Sequence, residues 1–505
     1  MIDPSPPLLA HANAPMVRGC FYVETFGCQM NAHDSDRMSE VLTLHGWSAV
    51  DVPEDADLIV FNTCSVREKA EQKLRSEIGK LVPLKKRKPD LMIAVAGCVA
   101  QQEGERLLNS IEHLDLVLGP DNIRELPELA ESFRSGGLRQ SRTVFDLEAP
   151  RFLAASPDGS KSVTSAFVTT MKGCDERCSF CIVPTTRGPE RYRAASEIVE
   201  EARKWIDAGT KEIVLLGQTV DSFRDPALPP PASDDPDESQ FPELLRMLSK
   251  ALPPFDPKTQ RGLLRMRYTS PHPRHATPSL VAAHASLDAL AEHIHLPVQS
   301  GSDRVLKRMI RRYKRAEFIV RAKALLAARP TMTMSTDIIV GFPGETEEDF
   351  QDTLSLVKEV GFTQVFGFKF SPRPFTPALK LGDDVPESVK SDRLERLFTL
   401  VDEQLRVHLE TLLGTKATVI VEGISKTGDT YCGRTERNEI VHIVGVDRSR
   451  FDLTGLAVPV LITKANRRSS MGEIVASDWP QIELFAREKR PVVSKKTRHL
   501  QVLAE

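Results

Sequence analysis

Met171-Lys-Gly-Cys174-Asp-Glu-Arg-Cys178-Ser-Phe180-Cys181 spaces three cysteines by three and then two residues. Thiols so spaced can converge on one soft metal centre. A closed zinc site takes four protein ligands, and an open one recruits His or carboxylate. No fourth Cys and no His occurs in the next sixty residues. Three thiolates with nothing local to complete them point to an iron–sulfur cluster with one iron open for chemistry.

The stretch leaves a strand, Ser165-Ala-Phe-Val-Thr-Thr-Met171, that begins a long βα series. Short apolar runs follow at 212–217, 263–268, 293–298, 332–340 and 364–370. Helical patterns lie at 195–207, 242–248, 278–290, 302–311, 315–328, 346–360 and 388–413, with a long Pro/Asp/Ser loop at 225–240. Six such units are too few for an eight-unit barrel and fit an open, partial one. The cysteine loop then sits at the carboxyl-end mouth, where barrels build their active sites.

Working outward, the N-terminal block repeats the alternation. Strands are expected at 20–26, 58–61 and 91–96, and helices at 34–45, 66–81 and 101–108. Such a pattern predicts a parallel sheet covered on both faces. Each strand runs into a cysteine: Phe26-Gly-Cys28, Asn62-Thr-Cys64 and Ala96-Gly-Cys98. A single cysteine is often a small core hydrophobe. Three at equivalent carboxyl ends, along the edge where parallel sheets place ligands, form a second constellation. Cys20 and Cys432 lack such a context and read as structural. After Gly414 the period changes to two, at 417–423, 430–434, 439–444, 457–463 and 473–476, which predicts a small antiparallel barrel. The expected domains are thus 18–135, 160–412 and 414–484, with a mobile leader at 1–17, a linker across 136–162 and a basic tail at 485–505.

Composition adds limits. Apolar content of 41% and charged content of 27% over 505 residues describe an ordinary multidomain protein. The first sixteen residues lack the pattern of a signal peptide, and no apolar run is long enough to span a membrane. Eight cysteines in so long a chain do not make a disulfide scaffold, and a cytoplasmic metal–thiolate protein is expected. A net charge of −3 conceals local basic groups: Arg304, Lys307, Arg308, Arg311, Arg312, Lys314 and Arg315, then Arg434, Arg437, Arg467 and Arg468. Such groups offer phosphate contacts, although a charge run is more often a solvated face.

Taken together, these motifs resemble the radical S-adenosylmethionine methylthiotransferases from Arg18 to about Trp479. Thr25-Phe-Gly-Cys-Gln-Met-Asn31, Asn62-Thr-Cys-Ser-Val-Arg-Glu-Lys69 and Gly97-Cys-Val-Ala-Gln-Gln-Glu-Gly104 look like the branch that modifies isopentenylated tRNA. His295-Leu-Pro-Val-Gln-Ser-Gly-Ser-Asp303 and Ile339-Val-Gly-Phe-Pro-Gly-Glu-Thr346 also match. Thr185 stands where an aromatic is common, and Phe375 stands where glycine is usual in the Arg-Pro-x-Thr-Pro word.

The resemblance implies an N-terminal α/β domain, a central partial (β/α)6 radical-SAM barrel and a TRAM-like RNA-binding barrel. It implies a 4Fe–4S cluster on Cys174, Cys178 and Cys181 that binds S-adenosylmethionine, and an auxiliary 4Fe–4S cluster on Cys28, Cys64 and Cys98 that carries the transferred sulfur. Phe180 is then expected near the adenine, or else as a loop anchor. Gly217 and Gln218 would meet the methionine amino group, and Ser300 and Gly301 would approach the nucleoside. The implied reaction methylthiolates carbon 2 of N6-isopentenyl adenosine next to the anticodon. The implied partners are the tRNA anticodon arm, a flavodoxin-type reductant, and sulfur and Fe–S supply proteins, without a membrane. Sister branches act on threonylcarbamoyl adenosine or a ribosomal-protein aspartate. A non-enzymatic iron–sulfur RNA-binding or redox-sensing protein is the reading from another class; the six-unit barrel argues against it.

Overall fold

The computed structural model describes residues 18–65, 68–148, 152–153, 164–231 and 233–486. The leader at 1–17, all but the start of the tail at 485–505, and parts of the linker at 136–162 lie outside the described residues. No helix among the described residues is long and apolar enough to cross a membrane.

Two compact units divide the chain, Met1–Arg151 and Phe152–Glu505. In the first, strands Gly19–Phe26, Leu58–Thr63 and Met92–Gly97 are the three expected ones, and every pair in the sheet is parallel. The sheet has three further short strands, Trp47–Ala49, Leu116–Leu118 and Gln140–Arg142. The last lies inside the stretch read as a linker, so this domain extends past 135. Its residues are polar, as suits a short edge strand. Leu58–Thr63 and Met92–Gly97 are buried throughout, because helices cover both faces. The helix expected at 101–108 is instead two, Cys98–Glu103 and Glu105–Ser110, separated at Gly104.

The second unit opens with six parallel strands in two sheets. One pairs Ser165–Thr169, Glu212–Leu216 and Arg265–Tyr268; the other pairs His293–His295, Thr333–Val340 and Gln364–Lys369. A parallel bridge between Met266 and Leu290 lies between the two sheets, and no pairing joins the first strand to the last. The expected open barrel is therefore present, and a single core of residues such as Ile213, Leu215, Met266, Ile294, Met334 and Ile338 fills it.

The last five strands close a small barrel in the order Lys416–Ile424, Tyr431–Arg434, Ile440–Val444, Ser470–Ile474, Ala457–Ala465. Four of its pairs are antiparallel; Ile440–Val444 and Ser470–Ile474 run parallel, a departure from the expected all-antiparallel barrel. Its connection at 435–439 caps the amino ends of the large barrel's strands. Arg265 donates to Thr435 O (2.5 Å), Arg434 O (3.2 Å) and Thr418 O (3.2 Å), and Arg267 donates to Thr435 O (2.7 Å). Both guanidiniums approach Glu212, at 3.6 and 2.8 Å. Burial raises the Glu212 carboxyl, but the two arginines outweigh it and hold Glu212 below the usual carboxylate range.

Candidate iron–sulfur site

In the first unit, sheet register decides where the cysteines fall. Phe26 pairs with Thr63, and Thr63 with Gly97, so the three strands end in one row. Cys64 and Cys98 each stand one residue past that row and Cys28 stands two past it. Cys28 also caps the helix Gln29–Leu44, whose N-terminus favours negative charge. The row is cross-braced. Asn31 donates to Asn62 Oδ1 at 2.9 Å, Asn62 donates back to Asn31 O at 2.7 Å, and the Cys28 thiol donates to Asn31 Oδ1 at 3.2 Å. Gly27, at φ 135°, has no room for a side chain: an added Cβ would strike the Cys64 side chain and stand 3.2 Å from Cys64 N. Thr63 Oγ1 and Ser65 Oγ, on either side of Cys64, are buried and have no hydrogen-bond partner among the described residues. Three thiols at one strand edge, with two unsatisfied buried hydroxyls beside the middle one, suit a sulfide-bearing metal group better than a packed core.

In the second unit the cysteine loop is pinned from several sides. Met171–Lys172 pairs with Arg191–Tyr192 and closes the loop at its base. Gly173 N donates to Gln218 Oε1 at 2.5 Å, and the Cys174 sulfur lies 2.9 Å from Thr219 Oγ1. Ser179 N donates to Met309 O (2.9 Å), and Ala378 N donates to Ser179 O (2.8 Å). Glu176 accepts from Arg274 at 3.0 Å and faces Arg312 at 3.9 Å. The loop is thus held by the segments that follow four other strands, all at the carboxyl-end mouth.

The electrostatics favour a bound metal group. Burial pushes the Cys174 thiol well up and the Cys181 thiol up to about 12, and charge on a neighbouring thiol, Cys181 for Cys174 and Cys178 for Cys181, raises each further. Such thiols stay protonated unless a metal takes the proton's place. Arg311 is buried and donates to the Cys178 sulfur (3.3 Å), Tyr313 Oη (2.9 Å) and Pro297 O (2.9 Å). Among the described residues no carboxylate lies within ion-pairing distance of it. A buried cation without a counter-charge is costly. Thiolates holding a metal group would supply the missing one. Among the described residues, no three Cys, His, Asp or Glu side chains are already drawn to metal-coordinating spacing.

The other expected site residues divide. The amide oxygen of Gln218 is taken by Gly173, while its buried Nε2 has no partner among the described residues. Gly217 lies under Met171, where an added Cβ would come 2.8 Å from Met171 Cγ. Phe180 packs beside Val305, Met309, Phe342, Phe370 and Ala378, as a loop anchor does. Ser300 is fully buried, and Gly301 N donates to Thr353 Oγ1 at 2.9 Å; both pack against the helix Glu347–Val360.

The basic residues are not one surface. Arg304 pairs with Asp349 and Arg315 with Glu359, while Arg311 turns inward behind Ile310, whose φ is 58°. Arg437 is held by Glu439 and is 12% exposed, whereas Arg467 and Arg468 share Asp402 at 80% and 54% exposure. The sequence offered Arg311 only as one of a basic run that could meet phosphate, and gave Thr219, Asn31 and Asn62 no role of their own. For the two asparagines the signal was their place in the strand-end words.

Comparison with known proteins finds two family models and near full-length relatives. Residues 20–119 match the model of the uncharacterized protein family UPF0004, and residues 168–357 match the radical SAM superfamily. The tRNA-2-methylthio-N(6)-dimethylallyladenosine synthase of Sorangium cellulosum is 58% identical over 90% of this chain and 93% of its own. The synthase of the same name from Geobacter sulfurreducens is 44% identical over 90% and 97%. A solved radical S-adenosylmethionine methyltransferase, TsrM of Kitasatospora setae, aligns over 71% of this chain and 74% of its own at TM-score 0.49 and 15% identity. The chain belongs to the tRNA-2-methylthio-N(6)-dimethylallyladenosine synthase family, within the radical S-adenosylmethionine superfamily.

Proposed function

We propose that the protein methylthiolates carbon 2 of N6-dimethylallyl adenosine beside the anticodon of tRNA. The observation that carries this is the near full-length match at 58% identity to a synthase of that name. Membership of the radical SAM superfamily brings S-adenosylmethionine and a 4Fe–4S cluster as cofactors. Cys174, Cys178 and Cys181 would hold that cluster, and Cys28, Cys64 and Cys98 a second. When bound, the first supplies the electron that cleaves the sulfonium of S-adenosylmethionine, and the second the sulfur that is transferred.

The chain's own residues have definable tasks. Arg311 balances negative charge at Cys178. Glu176, through Arg274 and Arg312, holds the loop against the barrel mouth. Burial of Cys174 and Cys178, at 8% and 7% exposure, keeps water from the sulfurs. The Gln218 Nε2 is a donor, suited to a carboxylate oxygen of S-adenosylmethionine more than to its amino group. Phe180 steadies the loop close to where an adenine would lie. Gly217, Ser300 and Gly301 fix the strand ends. The small barrel, with Arg467 and Arg468 exposed, would meet the anticodon arm. A flavodoxin-type donor and the proteins that supply sulfur and clusters are expected partners, in the cytoplasm.

The test is nucleoside mass spectrometry after incubation with S-adenosylmethionine, a reductant and isopentenylated tRNA. Methylthio-dimethylallyl adenosine is the expected product. Product from unmodified tRNA alone would overturn the substrate assignment. Iron near eight atoms per chain is expected for two four-iron clusters, and about four would refute the second.

A further inference from the structure

The turn Arg373-Pro374-Phe375-Thr376 connects the last barrel strand, Gln364–Lys369, to the short helical segment Pro377–Leu381. The Thr376 N–H and hydroxyl both donate to Arg373 O, at 3.4 and 2.8 Å. Proline at the second position, a positive φ at the third and that return bond mark a type II turn, whose third residue is normally glycine. Phe375 holds the position at φ 64°. A bulky side chain there is strained. Phe375 is also 55% exposed, so burial in the core does little to offset the strain.

The turn stands at the mouth that holds the cysteine loop. Three residues on, Ala378 N donates to Ser179 O and Ala378 packs beside Phe180. Leu379 and Leu381 are exposed at 50% and 41%, and the half-buried Arg373 and exposed Lys380 flank the ring in sequence. A more than half-exposed aromatic held at a positive φ at a site mouth points to use. Aromatic rings between cations bind single-stranded nucleic acid, because every base offers a π-face and every linkage a phosphate. A target base drawn from its stack leaves the face of its neighbour uncovered.

Resting on the tRNA reading above, we infer that Phe375 stacks on a nucleobase adjacent to the target adenosine, with Arg373 and Lys380 meeting the flanking phosphates. The ring replaces the stacking contact that the target base gives up on leaving the anticodon loop.

The test compares holoenzyme with Phe375→Gly, Phe375→Leu and Phe375→Trp variants for binding of an anticodon stem-loop carrying dimethylallyl adenosine, by fluorescence anisotropy, and for Tm. F375G and F375L should bind about tenfold more weakly while F375W binds as the parent does. F375G alone should raise Tm, since glycine adopts the turn without strain. Unchanged affinity in F375G and F375L would overturn the stacking role while leaving the tRNA reading intact. Failure of the unaltered enzyme to bind the stem-loop would overturn the tRNA reading itself.

Discussion

The Arg311 guanidinium donates to the Cys178 sulfur at 3.3 Å across 133 residues of chain, and both side chains are buried. A hydrogen bond from a cation to a ligand sulfur draws electron density from the metal group and eases its reduction. Arg311→Gln should therefore lower the midpoint potential of the cluster whose paramagnetic signal responds to S-adenosylmethionine, and reduce activity by about 10- to 100-fold. Redox titration followed by electron paramagnetic resonance reads the first effect. Arg311→Lys keeps the charge and should fall between. An unaltered potential in both variants would refute the role.

Gly27 bears on the second constellation. Its φ of 135° and the Cys64 side chain against it leave no place for a methyl group. Gly27→Ala should cost roughly 1–2 kcal/mol of stability through the backbone alone. It should also push the strand end that carries Cys28 away from Cys64, so that iron falls from about eight atoms towards about four. Iron analysis beside a denaturation curve separates loss of the cluster from loss of the fold. Full iron content in G27A would show that the row of strand ends is not a metal edge.

Asp349 supplies a pH dependence with a definite sign. Burial raises its carboxyl, but hydrogen bonds from Arg304, Ser302 and Thr346 overcome this and bring it down to about 2, from 3.8. A depressed carboxyl contributes stability that is present above 3.8 and is lost as pH falls from there through about 2. The contribution comes from the bonds joining the start of helix Asp303–Arg308 to the start of Glu347–Val360. Asp349→Asn should destabilise by about 1–3 kcal/mol at neutral pH and flatten the acid limb of the stability profile. Chemical denaturation at a series of pH values measures both, and an acid limb as steep as the parent's would contradict the assignment.

Arg265 tests the coupling of the small barrel to the large one. Burial lowers its guanidinium to about 10, with Glu212 working the other way. Its donors satisfy three carbonyls of the small barrel. Arg265→Met removes the donor from Arg434 O and Thr418 O, while Thr435 O keeps Arg267, and should cost about 3 kcal/mol. Amide exchange should quicken in Ile440–Val444 more than in Glu212–Leu216. Equal exchange in both would place the loss elsewhere.

How much could be read in advance depended on how local each signal is. The strands carrying Cys28, Cys64 and Cys98 are apolar runs with turn residues behind them, and the βα alternation follows from such runs. Trp47–Ala49 and Gln140–Arg142 are three-residue strands, one of them polar, and a stretch that short has no period to detect. Helix Trp479–Ala486, which packs Ile482 into the small barrel, also went unread. Arg311 and Arg315 look alike in a basic run, yet one faces a sulfur and the other Glu359 on the surface. Charge in a sequence carries no record of the dielectric that will surround it. Phe375 stood out as a substitution for glycine, but its exposure, and the bond from Ala378 three residues on to Ser179 O, became visible only in the fold.

The two sets of thiols and the order of elements that carry them were legible in the chain before it folds, because spacing and periodicity act over a few residues. That Thr63 and Gly97 share a row, that Arg311 is the cation at Cys178, and that Phe375 turns at a positive φ at the barrel mouth were settled by the folded chain. The row and the Arg311 contact join residues from distant parts of the chain, and their energies depend on burial and register, which exist only after the chain has folded.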